Sequence, residues 1–348
     1  MERNIELESA LSLLLNRLAP LGCEAVSLPT AAGRVLAEAI HANMDFPARN
    51  TAGIDGYAVR SADLNGAKVG RPVPLTLCAG DCIAPHEATA VNTGQPLPEG
   101  CDAVLPLSGA RLEGECLFAQ RALWPYDNFI RRGADCQTGE LLLPAGKLIS
   151  PPVISLLTHC AYDHVSVSRR PRVALIPGNA DPAWYALLQA RLQEAGADII
   201  DDAKDADLLL TGARDVLSDA ETIFDGIKAE PFEKFALSTR QGKTLFTLPV
   251  TIADADVAFL LLVCPALAIL TGNHALQPSP SVAVLESAFS RSSPIRRFLP
   301  AALQGGAILL PGGQRPLSPA LLARCNCLAE IPAGSGPLEA GTKLTVWI

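Results

Sequence analysis

Arg172-Val173-Ala174-Leu175-Ile176, followed by Pro177-Gly178-Asn179-Ala180 and then Asp181-Pro182, is the stretch that decides the fold. The apolar run bounded by prolines reads as a short buried strand. Asp181 is suited to a helix N-cap and Pro182 to the first helical position, which predicts a helix to about Ala195, stopped by Gly196. Asp198 to Ile200 and Leu208 to Leu210 read as further apolar strands, and Ser218-Asp219-Ala220-Glu221 has the form of a capping box, so a second helix is expected there. Strand, helix, strand, strand, helix implies a βαβ arrangement with a parallel sheet. Ligands of such sheets bind beyond the carboxyl ends of the strands, here at Pro177-Gly178-Asn179 and Thr211-Gly212-Ala213.

Downstream, Phe235 to Leu248 with Arg240-Gln241-Gly242-Lys243 at its centre reads as a hairpin, and an apolar helix from about Asp256 to Ile269 follows, closed by Thr271-Gly272-Asn273. The last 75 or so residues carry Gly305-Gly306, Gly312-Gly313 and Gly334-Ser335-Gly336 between short apolar runs, which predicts a small β-barrel or sheet module. Upstream, Leu7, Leu11, Leu14 and Leu18 give a first helix one apolar face, ended by Pro20. From about residue 22 to 170 short apolar runs alternate with Gly and Pro, as at Val73 to Leu77, Ala103 to Leu107 and Glu140 to Leu143, so this part is mostly β. A short helix is expected after Pro152 through Leu157, then a strand at Val165-Ser166-Val167, and Arg169-Arg170-Pro171 marks a boundary.

The 348 residues, 49% hydrophobic and 18% charged, can bury a sizeable core in two or three domains. Acidic residues number 36 against 28 basic ones, and the net charge of -8 leaves no basic excess for a phosphate backbone or an anionic membrane, so neither nucleic acid nor membrane is an expected partner. The longest apolar run, Val257 to Leu270, contains Pro265 and is short for a spanning helix, so it reads as buried. No apolar signal segment opens the chain, and a cytoplasmic protein is expected. Ten scattered cysteines in such a chain are read as thiols rather than a disulfide framework, and the five histidines are too dispersed for a metal cluster.

Three first-half segments are richer in polar and glycine residues than packing demands: Thr51-Ala52-Gly53-Ile54-Asp55-Gly56-Tyr57-Ala58, Val91-Asn92-Thr93-Gly94-Gln95-Pro96-Leu97-Pro98-Glu99-Gly100-Cys101-Asp102-Ala103-Val104, and Asn128-Phe129-Ile130-Arg131-Arg132-Gly133-Ala134-Asp135. Each alone has a plain reading as a turn or a solvated loop. Together, in this order and followed by the Pro171-Arg172-Val173 strand, they resemble the molybdopterin molybdenumtransferase family, MoeA and the gephyrin E domain. Asn326-Cys327-Leu328 and Leu338-Glu339-Ala340-Gly341 are similar to that family's closing module, so the resemblance covers nearly the whole chain.

The resemblance implies a multi-domain α/β fold with a discontinuous helix-containing first domain (1–45 and 142–170), an inserted β domain (46–141), a βαβ molybdopterin-binding-like domain (171–274) and a C-terminal β module (275–348). It implies insertion of molybdate into adenylylated molybdopterin with AMP release, assisted by Mg²⁺, in a homodimer whose sites lie between subunits, and a recipient molybdoenzyme or other cofactor-maturation protein as a further partner. Such a ligand needs backbone amides near glycines and positive side chains for its phosphates, and carboxylates for a divalent cation. The implied catalytic residues are Asp55, Thr93 and Asp135, with Asp55 and Asp135 as metal ligands. Gly56, Tyr57, Gly94, Arg131, Arg132, Gly178, Asn179, Thr211, Gly212 and Pro249 are the implied substrate contacts. For Arg131 the alternative is a salt bridge to a neighbouring loop, and for Asp55 a turn cap.

The third domain departs from the family pattern. Where the family carries Ser/Thr-Gly-Asp-Glu, this chain has Pro177-Gly178-Asn179-Ala180, without either carboxylate. The glycine-rich loop is reduced to Thr211-Gly212-Ala213-Arg214-Asp215-Val216-Leu217-Ser218-Asp219, with Asp215 or Asp219 as a displaced carboxylate, and the Leu-Pro-Gly-Asn turn has become Leu248-Pro249-Val250-Thr251. A catalytically degenerate protein that binds or carries molybdopterin or the finished cofactor is therefore the alternative function.

Overall fold

The computed structural model describes residues 2–178, 180–213, 219–311 and 317–348. The chain forms two compact units: Met1–Glu38 with Ala145–Ile154 and His164–Ile348, and Ala39–Pro144 with Ser155–Asp163.

The first unit is built on a seven-stranded sheet in the order Glu2–Ile5, Glu221–Ile227, Ala236–Arg240, Lys243–Thr247, Leu208–Thr211, Arg172–Ile176, Asp198–Ile200. The last four strands run parallel. Such strands are buried on both faces and read as unbroken apolar runs, as Leu208–Thr211 does. Val173, Leu175, Leu208, Leu210 and Phe246 share one core with Trp184, Leu188 and Leu192 of the helix Pro182–Glu194, while Ala174, Leu209 and Leu245 point into a smaller cluster. That helix starts as expected: the Asp181 carboxylate accepts the Ala183 N–H at 2.7 Å, Pro182 follows, and Gly196 takes φ +78°.

Two readings of this sheet are corrected. Glu221–Ile227 is a strand, not a capped helix, and Ser218 lies outside the described residues. Thr222, Ile223 and Phe224 are strand formers, and antiparallel pairing with Ala236–Arg240 stacks Phe224 on Phe235 at 6.0 Å. The first helix, which the leucine spacing predicts, is preceded by a strand that the spacing does not. Glu2–Ile5 first adds an edge strand parallel to Glu221–Ile227, and only then does the helix Leu7–Leu15 bury Leu7, Ala10 and Leu14 in the same core. The sheet therefore takes in residues that the expected boundaries grouped with 1–45.

The hairpin turns at Gln241 and Gly242, both at positive φ as a two-residue turn requires. The apolar helix extends over Ile252–Thr271, with a π turn at Phe259–Val263 just before Pro265, whose missing N–H and bulky ring disturb the α-helical ladder there. By length and composition this helix could cross a membrane, but 78% of its apolar window is buried and it forms the heart of the core. Gly272 ends it at φ +70°. Cys23–Ser27 pairs with His164–Ser168. At the C-terminus Arg296–Gln304, Ala307–Leu309, Pro280–Leu285, Lys343–Trp347 and Cys327–Ile331 form a sheet whose ends also pair, closing a barrel around Ala283, Leu285, Ile308, Ala329 and Val346. Closure leaves these strands no free edge. Gly312 and Gly313 lie outside the described residues.

The second unit carries a six-stranded sheet in the order Ala103–Pro106, Gly56–Val59, Glu87–Val91, Lys68–Leu77, Cys116–Arg121, Ala110–Glu113, over a core of Val59, Leu64, Leu75, Ala88, Leu105 and Leu117. Thr51–Ala52 pairs with Phe129–Ile130, and Ile40–His41 with Leu141–Leu143. The fold is a multi-domain α/β one with an inserted β domain, a partly parallel βαβ sheet and a C-terminal β module. All ten cysteines are free thiols.

Candidate functional site

Asn50-Thr51-Ala52 is the spine on which the three polar segments meet. On one side the Leu97 N–H donates to Asn50 O at 2.8 Å, the Ala52 N–H to Gln95 O at 2.9 Å and the Gly94 N–H to Ala52 O at 2.7 Å. On the other, Ala52 pairs with Phe129, the Gly53 N–H donates to Asn128 O at 2.8 Å, and the Asn50 side-chain oxygen accepts the Arg132 N–H at 2.9 Å. Thr51 and Ile130 are thereby held in one backbone ladder, and the Asn50 side chain ties Arg132, 82 residues on, to it. Asn50 was not singled out by sequence; it sits outside the motif proper, and no spacing rule marks it.

Asp55 and Thr93 are brought together. The Asp55 Oδ1 accepts the Thr93 amide at 2.7 Å and its hydroxyl at 2.8 Å, and these bonds lower the carboxyl pKa. Both residues are exposed. The turn is completed by the Gln95 N–H donating to Asn92 O at 3.0 Å, with Gly94 at φ +80°. Asp55 is thus a turn cap, the plain alternative, while its charge still faces solvent beside the Thr93-Gly94 turn. Gly56 lies in a strand: its φ is not positive, and a Cβ there would lie 2.1 Å from Leu105 O, so close strand contact demands glycine. Tyr57 is half-buried in the strand beside Leu105.

The Arg131 to Asp135 segment is held by a residue the sequence did not flag. Asp45 accepts the Thr138 N–H at 2.9 Å, its hydroxyl at 2.8 Å and the Arg132 Nε–H at 2.7 Å, which together take its pKa down to about 2. Arg132 is therefore engaged in a salt bridge, and its partner, 87 positions away, carries no local signal. Among the described residues Arg131 makes no such bridge; its guanidinium lies 3.8 Å from the Tyr126 ring centre. Asp135 is exposed, and its N–H donates to Phe46 O at 2.9 Å. Beside these residues Arg49, Asn50, Arg132 and the Gln95 to Cys101 segment line an open cleft of about 1200 Å³.

In the other unit, the residues expected to border a ligand crevice touch one another. A Cβ on Gly178, which has φ +58°, would lie 2.4 Å from the Ala213 Cβ, and one on Gly212 would lie 3.2 Å from Pro177 O and 3.4 Å from Trp184. Thr211 is fully buried, its hydroxyl accepting the Ala213 N–H at 3.1 Å. Trp184, also fully buried, donates its indole N–H to Pro249 O at 2.8 Å. Asp219 is not a free carboxylate: Arg240 binds it at 2.9 Å. Asn179 and Asp215 lie outside the described residues.

Among the described residues no three Asp, Glu, His or Cys side chains converge as metal ligands. Asp55 and Asp135 would hold a magnesium ion only together with waters and substrate phosphates, as that ion is commonly bound, and no chemical step is derived through one.

Residues 5–161 match the family model for the MoeA N-terminal region (domain I and II). The chain is 24% identical to a molybdopterin molybdenumtransferase of Staphylococcus aureus strain Mu50, with 98% of this chain and 95% of the relative covered. It is 27% identical to molybdopterin molybdenumtransferase 2 of Mycobacterium tuberculosis, with 93% and 95% covered. Two crystal structures of molybdopterin biosynthesis MoeA protein from Pyrococcus horikoshii superpose with TM-scores of 0.84 and 0.81, at 23% and 25% identity, each over 99% of this chain and at least 99% of its own.

Proposed function

We propose that the chain is a member of the MoeA family and works in molybdenum cofactor biosynthesis on a molybdopterin-type small molecule, as the names of its relatives indicate. The finer reading is transfer of molybdate into adenylylated molybdopterin with release of AMP. The observation that carries it is the Asp55–Thr93 turn: an ionised carboxylate held by two donors, next to the Gly94 turn whose N–H binds Ala52 O in the same ladder to which the Asn50 side chain ties Arg132. Thr93 keeps Asp55 charged and fixes its orientation, while the exposed Thr93-Gly94 turn and Arg131 supply donors for phosphate oxygens. A homodimer, a cytoplasmic setting, use of Mg²⁺ and hand-over to a recipient molybdoenzyme belong to the same proposal.

The second reading, a protein that binds molybdopterin or finished cofactor without turnover, is favoured by the contact of Gly178 with Ala213 and by the absence of a metal-ligand cluster among the described residues. One experiment separates the two. Purified protein is incubated with adenylylated molybdopterin and molybdate, with and without Mg²⁺, and AMP is followed. Release dependent on molybdate establishes the transferase; tight binding without release establishes the carrier.

A further inference from the structure

The loop Trp124-Pro125-Tyr126-Asp127-Asn128 holds two non-glycine residues at positive φ, Tyr126 at +71° and Asn128 at +57°. For an aromatic side chain this conformation is strained, and strain kept in a native loop is a pointer to use. The loop is not left loose. Its backbone is bound to the strand below by the Tyr126 N–H to Asp102 O at 2.6 Å, the Val104 N–H to Asp127 O at 3.0 Å and the Asn128 side-chain amide to Val104 O at 3.0 Å. Asp102 is itself fixed by the Ser61 amide and hydroxyl at 2.6 and 2.7 Å.

What this rigid loop presents is aromatic surface. Trp124 is 79% exposed and Tyr126 51% exposed. Phe129 braces the tyrosine edge-on at 5.5 Å, and the Arg131 guanidinium lies 3.8 Å from its ring centre. The guanidinium plane is weakly hydrated and stacks well on π-systems. The Asn128 carbonyl that ends the loop bonds Gly53, next to Ala52, whose own carbonyl accepts the Gly94 N–H, so the loop adjoins the Asp55–Thr93 turn.

We propose that Tyr126 and Arg131 form a stacking seat for a planar fused nitrogen heterocycle, the pterin or the purine of the ligand assigned above; the inference rests on that assignment. Stacking on an aromatic ring and a guanidinium recognises the π-face of such a ring. Arg131 then acts through its plane as well as its charge, and Trp124, two residues from Tyr126, reports occupancy, because Trp184 is fully buried and Trp347 half-buried.

The test measures binding of adenylylated molybdopterin to the full chain by calorimetry and by tryptophan fluorescence, with AMP and 6-hydroxymethylpterin as competitors. Tyr126→Gly suits the positive φ and removes the ring, and Tyr126→Phe keeps the ring. The expected result is binding weakened about tenfold or more in Tyr126→Gly and retained in Tyr126→Phe, with a fluorescence change that Trp124→Phe abolishes. The better competitor then names the ring that is seated. Unchanged affinity in Tyr126→Gly overturns the seat while leaving the proposed function standing. Absence of binding by the wild-type chain overturns that function, and the seat with it.

Discussion

Thr93 lies 38 positions after Asp55, yet it gives both its amide and its hydroxyl to a single oxygen of that carboxylate. Substituting Asp55→Asn leaves a carbonyl oxygen able to accept both donors and removes only the charge. The melting temperature is expected to stay within about 2 °C of wild type, while AMP release falls by roughly a hundredfold or more. Parallel melts and AMP assays check both arms, and an unchanged rate would leave Asp55 a turn cap alone.

Asp45 is expected to contribute to acid stability in the same unit. Its folded pKa of about 2 is depressed from 3.8, first by the Thr138 amide, then by the Thr138 hydroxyl and Arg132. A depressed carboxyl stabilises the fold above its unfolded pKa, and that contribution is lost as pH falls from 3.8 through about 2. Melts across this window should show a shallower acid limb for Asp45→Asn than for wild type, and carboxyl NMR should place the Asp45 titration near its lower end.

Trp184 supports the end of the parallel sheet. Trp184→Ala is expected to cost about 3–5 kcal/mol through lost burial and a residual cavity. Trp184→Phe fills more of the space but leaves the Pro249 carbonyl without its donor, for about 1–3 kcal/mol. Urea denaturation of the three proteins orders them, and a Phe variant as stable as wild type would show that the indole hydrogen bond is dispensable.

Gly56 and Gly94 should respond differently to alanine. A Cβ on Gly56 meets a backbone oxygen at 2.1 Å, and nothing flexible can give way, so Gly56→Ala is expected to lose about 3 kcal/mol or more, or to yield no folded protein. Gly94 has open space around it and only φ +80° against it, which places Gly94→Ala at about 1 kcal/mol. Soluble yield and thermal melts of the two variants make the comparison.

Local chemistry made much of the fold legible. Asp181-Pro182 and Gly196 bound a helix through capping alone, and Gln241-Gly242 turn a hairpin through backbone conformation alone. The same local reasoning failed at Ser218 to Glu221, because a capping pattern has no force once Phe224 gains Phe235 across a strand pair. It failed also at Glu2–Ile5, four residues with three polar side chains, which become a strand only because an edge of the sheet lies open to them. At the site, Asp55, Thr93 and Gly94 were visible in the sequence. Asp45 and Asn50 were not, since their partners lie 87 and 82 residues away.

Residue type and spacings within a few turns of chain were enough for the resemblance to a family and for the βαβ unit. What each of the site residues touches is set by the closed fold. Whether Arg132 meets a ligand or Asp45, whether Gly178 opens a crevice or lies against Ala213, and which face Arg131 offers depend on atoms brought together from distant segments. Contacts across long loops follow from how the whole chain closes and are recorded in no local pattern.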